Sequence, residues 1–187
     1  MERRFTLKKS IGLLIGFAVL LALGCEHVVP VPAPPVYIPD RTCKPVGFAA
    51  GSEPTGFNAL KWRTDLLTLQ NMDYVRTDPS HGGITFYTKK GDGLRLKDGK
   101  VLPIQYGFWE GTFYVGMVMT QGPSDWEALK MTVFDKYGRG AKPFINTDEY
   151  LWYGEDATMA LRYDDSTKAG IYYIRSGAME KEMKSYY

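Results

Sequence analysis

Glu110-Gly111 separates two runs rich in aromatic and β-branched residues, Val101 to Trp109 and Phe113 to Thr120. A Glu-Gly turn between strand-forming runs reads as a tight hairpin, and a hairpin imposes antiparallel pairing. Parallel neighbours need a crossover of about a dozen residues or more, for which this stretch has no room. The chain is therefore expected to build on an antiparallel sheet.

The surrounding sequence extends that pattern. Phe57 to Trp62 reads as a strand, and Thr64 as the cap of a short helix over Asp65 to Gln70. Ile84 to Thr88 is β-branched and aromatic, and follows the Gly82-Gly83 pair. Gly91-Asp92-Gly93 and Lys97-Asp98-Gly99 are turn signals. Ser124 and Glu127 stand in capping-box spacing, and Trp126, Leu129, Val133, Phe134 and Tyr137 recur at helical intervals up to a capping Gly138. Three more strands are expected at Tyr150 to Gly154, Thr158 to Tyr163 and Gly170 to Arg175, then a helix over Ala178 to Ser185 that Ser176 can cap. The fold class is α+β: a mostly antiparallel sheet with the helices on one face, in two layers. A helix followed by strands occurs twice, hinting at a weak internal duplication. In this order alone, the chain is similar to the helix-plus-meander repeats of outer-membrane assembly lipoproteins and β-lactamase-inhibitor proteins.

The N-terminus carries a basic tip (Arg3, Arg4, Lys8, Lys9), an apolar run from Ile11 to Leu23, and then Gly24 and Cys25. That is the layout of a secretory signal peptide. Leu21-Ala22-Leu23-Gly24-Cys25 resembles the lipobox of bacterial lipoproteins, which implies cleavage after Gly24 and a lipid on Cys25. Two other readings use the same residues. One is ordinary cleavage that leaves Cys25 a thiol. The other is an uncleaved anchor, for which the apolar core is short of the roughly 20 residues a spanning helix needs. Glu26 follows Cys25; in the lipoprotein sorting scheme an Asp there favours inner-membrane retention, so the reading leans to the outer membrane, facing the periplasm.

Residues 1–24 are thus read as signal, 25–45 as lipidated Cys and stalk, and 46–187 as one domain. Prolines 30, 32, 34, 35 and 39 favour extended polyproline geometry in the stalk. At 3.1 Å per residue, residues 26–45 reach about 50–60 Å. The whole chain has 23 Lys+Arg and 21 Asp+Glu. Removing the leader's four basic groups and one acidic group (Glu2) leaves 19 against 20. No basic cluster remains to suggest nucleic-acid binding. With Cys25 lipidated, Cys43 stands alone, as a tolerated thiol or one half of an intermolecular disulfide; otherwise a Cys25–Cys43 loop is open.

Whole phrases of the domain resemble a group of uncharacterised bacterial secreted proteins and lipoproteins. They are Phe57 to Trp62 with Thr64-Asp65, Arg76 to Ser80 with Gly82-Gly83, Tyr106 to Trp109 with Phe113-Tyr114, and Trp126 with Leu129-Lys130 and Val133-Phe134. That group usually carries Gly where this chain has Arg63, so the turn after Trp62 is expected to differ. The resemblance implies a fold and brings no site with it.

Catalytic signatures are lacking in the sequence. His27 and His81 have no second His or Cys at ligand spacing, so no metal or cofactor is expected. The glycines at 91 and 93 lack the Gly-Lys-Ser/Thr ending of a phosphate loop, no serine sits in a G-x-S-x-G elbow, and EF-hand spacing is missing. The acidic pairs Asp148-Glu149, Glu155-Asp156 and Asp164-Asp165 could flank a glycan, or simply keep turns soluble. Aromatic residues at strand positions remain. Alternation puts neighbours on opposite faces, so Trp109, Tyr114, Trp152, Tyr172 and Tyr173 are the candidate binding surface if one sheet face is bare. The expected function is a lipid-anchored envelope binding or assembly module with a protein or glycan partner. The alternative is a small envelope hydrolase acting on peptidoglycan or another glycan.

Overall fold

The structure, a computed structural model, describes residues 46–186. The signal peptide, Cys25, the stalk and Cys43 lie outside the described residues. A hairpin of β1 (Gly56–Phe57) and β2 (Leu60–Lys61) opens the domain. A 3-10 turn over Leu66–Thr68 leads to β3 (Met72–Asp78), and a second over Ser80–Gly82, which contains His81, leads to β4 (Ile84–Lys89). The short pair β5 (Leu94–Arg95) and β6 (Val101–Leu102) precedes the long hairpin of β7 (Ile104–Trp109) and β8 (Thr112–Gln121). Then come α1 (Pro123–Tyr137), β9 (Asp148–Tyr153), β10 (Ala157–Asp164), β11 (Ala169–Ser176) and α2 (Gly177–Tyr186).

Seven strands form one sheet in the order β3-β4-β7-β8-β11-β10-β9. Each neighbour pair is antiparallel, so the α+β class with a mostly antiparallel sheet holds. Glu110 and Gly111 both have positive φ, 48° and 77°, as the twist-matched two-residue hairpin turn requires. A β-bulge follows in the ladder: Gly107 pairs with Val115 and Phe108 with Phe113, which leaves Tyr114 as the extra residue. Tyr114 and Val115 consequently join the same apolar cluster.

The placement of the helices departs from expectation. Trp126, Leu129, Val133 and Tyr137 of α1 pack with Tyr106, Phe108, Phe113, Trp152, Leu161 and Tyr172. Met179 and Met183 of α2 pack with Ile84, Phe86, Trp109, Tyr114, Val115 and Met117. Neighbours on one strand, such as Phe108 and Trp109 or Tyr172 and Tyr173, fall in different clusters. Side chains alternate across a strand, so the helices lie on opposite faces and the layering is helix, sheet, helix. Spacing within α2 specifies an apolar stripe but not the sheet face that receives it.

Smaller departures have local causes. Pro103 divides the expected strand Val101–Trp109 into β6 and β7, because proline cannot donate to a ladder. Residues 57–62 are a tight hairpin turning at Asn58 and Ala59, with φ of 48° and 66°. The helix expected after Thr64 is a three-residue 3-10 turn capped by Asp65, whose carboxylate accepts from Leu67 N at 2.8 Å. α1 starts at Pro123 behind Gly122 without a side-chain cap, so Ser124 is already inside it. Phe134 is half-buried, edge-on to Tyr150 at 4.8 Å.

Candidate functional site

Four of the five aromatic candidates are in the core. Trp109, Tyr114, Trp152 and Tyr172 are at most 3% exposed. Trp152 and Tyr172 lie under α1: the Trp152 indole donates to the Gly138 carbonyl at 3.2 Å, and Tyr172 meets Phe57 edge-on at 5.9 Å. On the opposite face, Trp109 is covered by Tyr186 of α2, ring centroids 6.0 Å apart. Half-buried Tyr173 accepts from Arg175 Nη2 at 3.2 Å, and the guanidinium lies 4.9 Å from its ring centroid. The aromatic platform is therefore corrected to core. It required a bare face, and α2 occupies that face.

Beneath α2 sits a polar knot. Glu180 stands 3.6 Å from Arg175, takes a hydrogen bond from Thr158 at 3.0 Å and pairs with Lys184 at 3.0 Å. Burial would raise its pKa, but Arg175, Lys184 and Thr158 outweigh that and hold it below the usual carboxylate value. Burial pushes the Tyr114 phenol up, with the Arg175 charge opposing. This network fastens α2 to β10 and β11.

The acidic pairs lie in three separate settings along β9 and β10. Asp148 accepts from the Trp126 indole at 2.6 Å and from Lys130 at 3.3 Å. Burial would raise its pKa, but the bonds from Trp126 and Tyr150 and the Lys130 charge lower it. Asp164 closes the β10–β11 turn by accepting from Ser166 N at 2.8 Å. The backbone N–H groups of Asp156 and Ala157 donate to Glu53 at 2.7 and 3.1 Å. Among the described residues no group of three or more His, Cys, Asp or Glu could hold a metal, and no helix is long and apolar enough to cross a membrane.

Two features remain that the sequence did not single out. A pocket of about 70 Å³ is lined by Asn58, Ala59, Leu60, Met72, Lys89, Asp92 and Tyr106. The Tyr106 hydroxyl donates to Asp92 Oδ2 at 2.9 Å and accepts from Asn58 Nδ2 at 2.9 Å, and Lys89 stands 3.5 Å from Asp92. Burial moves the Tyr106 phenol far above its ordinary value; the Asn58 bond opposes this and Asp92 adds to it. The volume is well below the ~300–1,000 Å³ of ligand clefts.

The second feature is the unequal treatment of the two sheet edges. β9 is covered: Tyr153 N donates to Val46 O at 3.0 Å, and Leu151 and Ala141 exchange bonds of 2.9 and 2.8 Å. β3, at the other edge, has no strand outside it among the described residues. Lys90 N donates to Asn71 O at 3.1 Å, directly before the Met72–Lys89 pair. Alternation along an antiparallel ladder then turns the N–H and C=O of Met72 and Tyr74 outward. Tyr74 is 62% exposed and Val75 39%. No protein family, curated protein or solved structure matches this chain.

Proposed function

We propose that this chain is a lipid-anchored cell-envelope protein, attached through Cys25 to the outer membrane and facing the periplasm, whose α+β domain is a binding or assembly module. The leader that resembles a lipobox supports the anchoring half. The observation that carries the binding half is the β3 edge. Each sheet face carries a helix and the β9 edge is paired, while β3 presents backbone groups and an exposed tyrosine. Edges left open in this way are sites of strand addition. The alternative, a glycan hydrolase, gains no support from the acidic pairs, which lie in three separate settings, or from a pocket of about 70 Å³.

Two measurements on the full-length chain expressed in a Gram-negative bacterium test the proposal. Wild-type protein should stay in carbonate-washed membranes and Cys25→Ser should leave them. Retention of Cys25→Ser would remove the anchoring half. Affinity capture from detergent-solubilised envelopes should return a stoichiometric protein or glycan. Failure to return either would remove the binding half.

A further inference from the structure

We infer that β3 binds an extended segment of a partner protein as an eighth strand, a deepening that rests on the binding-module reading above. The outward groups at Met72 and Tyr74, which no other strand meets among the described residues, are peptide donors and acceptors, and another extended backbone satisfies them in register. Side chains then set the sequence of the incoming segment. Tyr74 and Asp73 point to opposite faces of β3, and both are exposed. A matching strand places an aromatic or β-branched residue beside Tyr74 and a basic residue beside Asp73. Met72 also lines the Tyr106 pocket, so the residue opposite Met72 stands at its rim.

Other occupants fit less well. The chain's own stalk has prolines at 30, 32, 34, 35 and 39, each without the donor a strand needs. β3 shifts register between Tyr74 and Arg76, which limits regular pairing to its first residues, and a second copy paired antiparallel there would set the exposed Asp73 opposite its own counterpart, a destabilising like-charge contact. Met72 to Tyr74, ahead of the bulge, is a regular ladder suited to a short segment.

The test uses the full chain in detergent micelles and a phage-displayed random peptide library. Tyr74→Pro removes an outward donor and takes no bond from β4. Enriched peptides should carry a basic residue, slow amide exchange at Met72 and Tyr74, and bind Tyr74→Pro about tenfold more weakly. Asp73→Lys, which leaves the backbone alone, should shift the selected basic residue to an acidic one, and it decides the matter if Tyr74→Pro unfolds. Peptides that bind both variants unchanged, peptides that protect another segment, or an empty selection overturn the edge inference. In each case the module reading is left to the envelope capture. A concentration-dependent dimer that protects Met72 and Tyr74 assigns the edge to a second copy and also overturns it.

Discussion

Arg175 on β11 and Glu180 on α2 stand 3.6 Å apart between the sheet and the helix that covers it. With Lys184 and Thr158, they supply the polar part of a contact whose apolar part is Met179 and Met183. The Trp109–Tyr186 and Arg63–Glu182 contacts add to this hold on α2.

Glu180→Gln should cost about 1.5–3 kcal/mol at neutral pH, the scale of a charged hydrogen bond. The folded pKa of Glu180 is lowered, so its contribution is present above the ordinary Glu value of about 4.3. It is lost as pH falls through the folded value. Urea unfolding of wild type and variant should show a gap at pH 7 that narrows below pH ~4. A gap that is constant across pH would mean Glu180 acts by packing alone.

Leu129 is fully buried in α1, whereas Met131 is 46% exposed. Leu129→Ala should cost about 2–5 kcal/mol, and Met131→Ala less than about 0.5 kcal/mol. Phe134→Ala should fall between them, because that ring is half-buried. Thermal midpoints in any other order would mean that α1 presents a different face to the sheet.

Arg63 has a φ of 65° and pairs with Glu182. The left-handed conformation costs a non-glycine residue about 1–2 kcal/mol, glycine loses about 0.4–1 kcal/mol through unfolded-chain entropy, and an exposed ion pair adds about 0–1 kcal/mol. Arg63→Gly should thus match or slightly exceed wild type in denaturant midpoint, while Arg63→Val should fall clearly below both.

These residues show how far the sequence could be read. The Glu110-Gly111 hairpin, the buried stripe of α1 and the β9–β11 meander follow from spacing and turn chemistry. β3 was missed because Met72–Asp78 is mostly exposed on both faces, so it lacks the alternation that reveals a half-buried strand. The aromatic platform failed on a tertiary fact: alternation separated Tyr172 from Tyr173 correctly, but nothing local says that α2 folds back over the second face. The Asn58–Tyr106 bond joins residues 48 positions apart, beyond any local pattern. The open edge and the pocket were therefore visible only once the strands were assembled.

Gly116 tests how the β1–β2 hairpin is seated. A Cβ there would lie 2.2 Å from Phe57 Cδ1 and 2.6 Å from Cγ, so the ring rests directly on the glycine. Phe57 is 6% exposed and Asn58 follows it into the turn that walls the Tyr106 pocket. Gly116→Ala should displace the ring and cost about 1–3 kcal/mol, as overpacking does. The displacement should also lengthen the Asn58–Tyr106 bond, which the Tyr106 hydroxyl resonance would report by NMR. Phe57→Leu alone should be destabilising through lost packing, yet should offset part of the cost when combined with Gly116→Ala. A double-mutant cycle should give a coupling of about 0.5 kcal/mol or more. Strict additivity would show that the hairpin does not sit on Gly116 and that the pocket wall is positioned by something else.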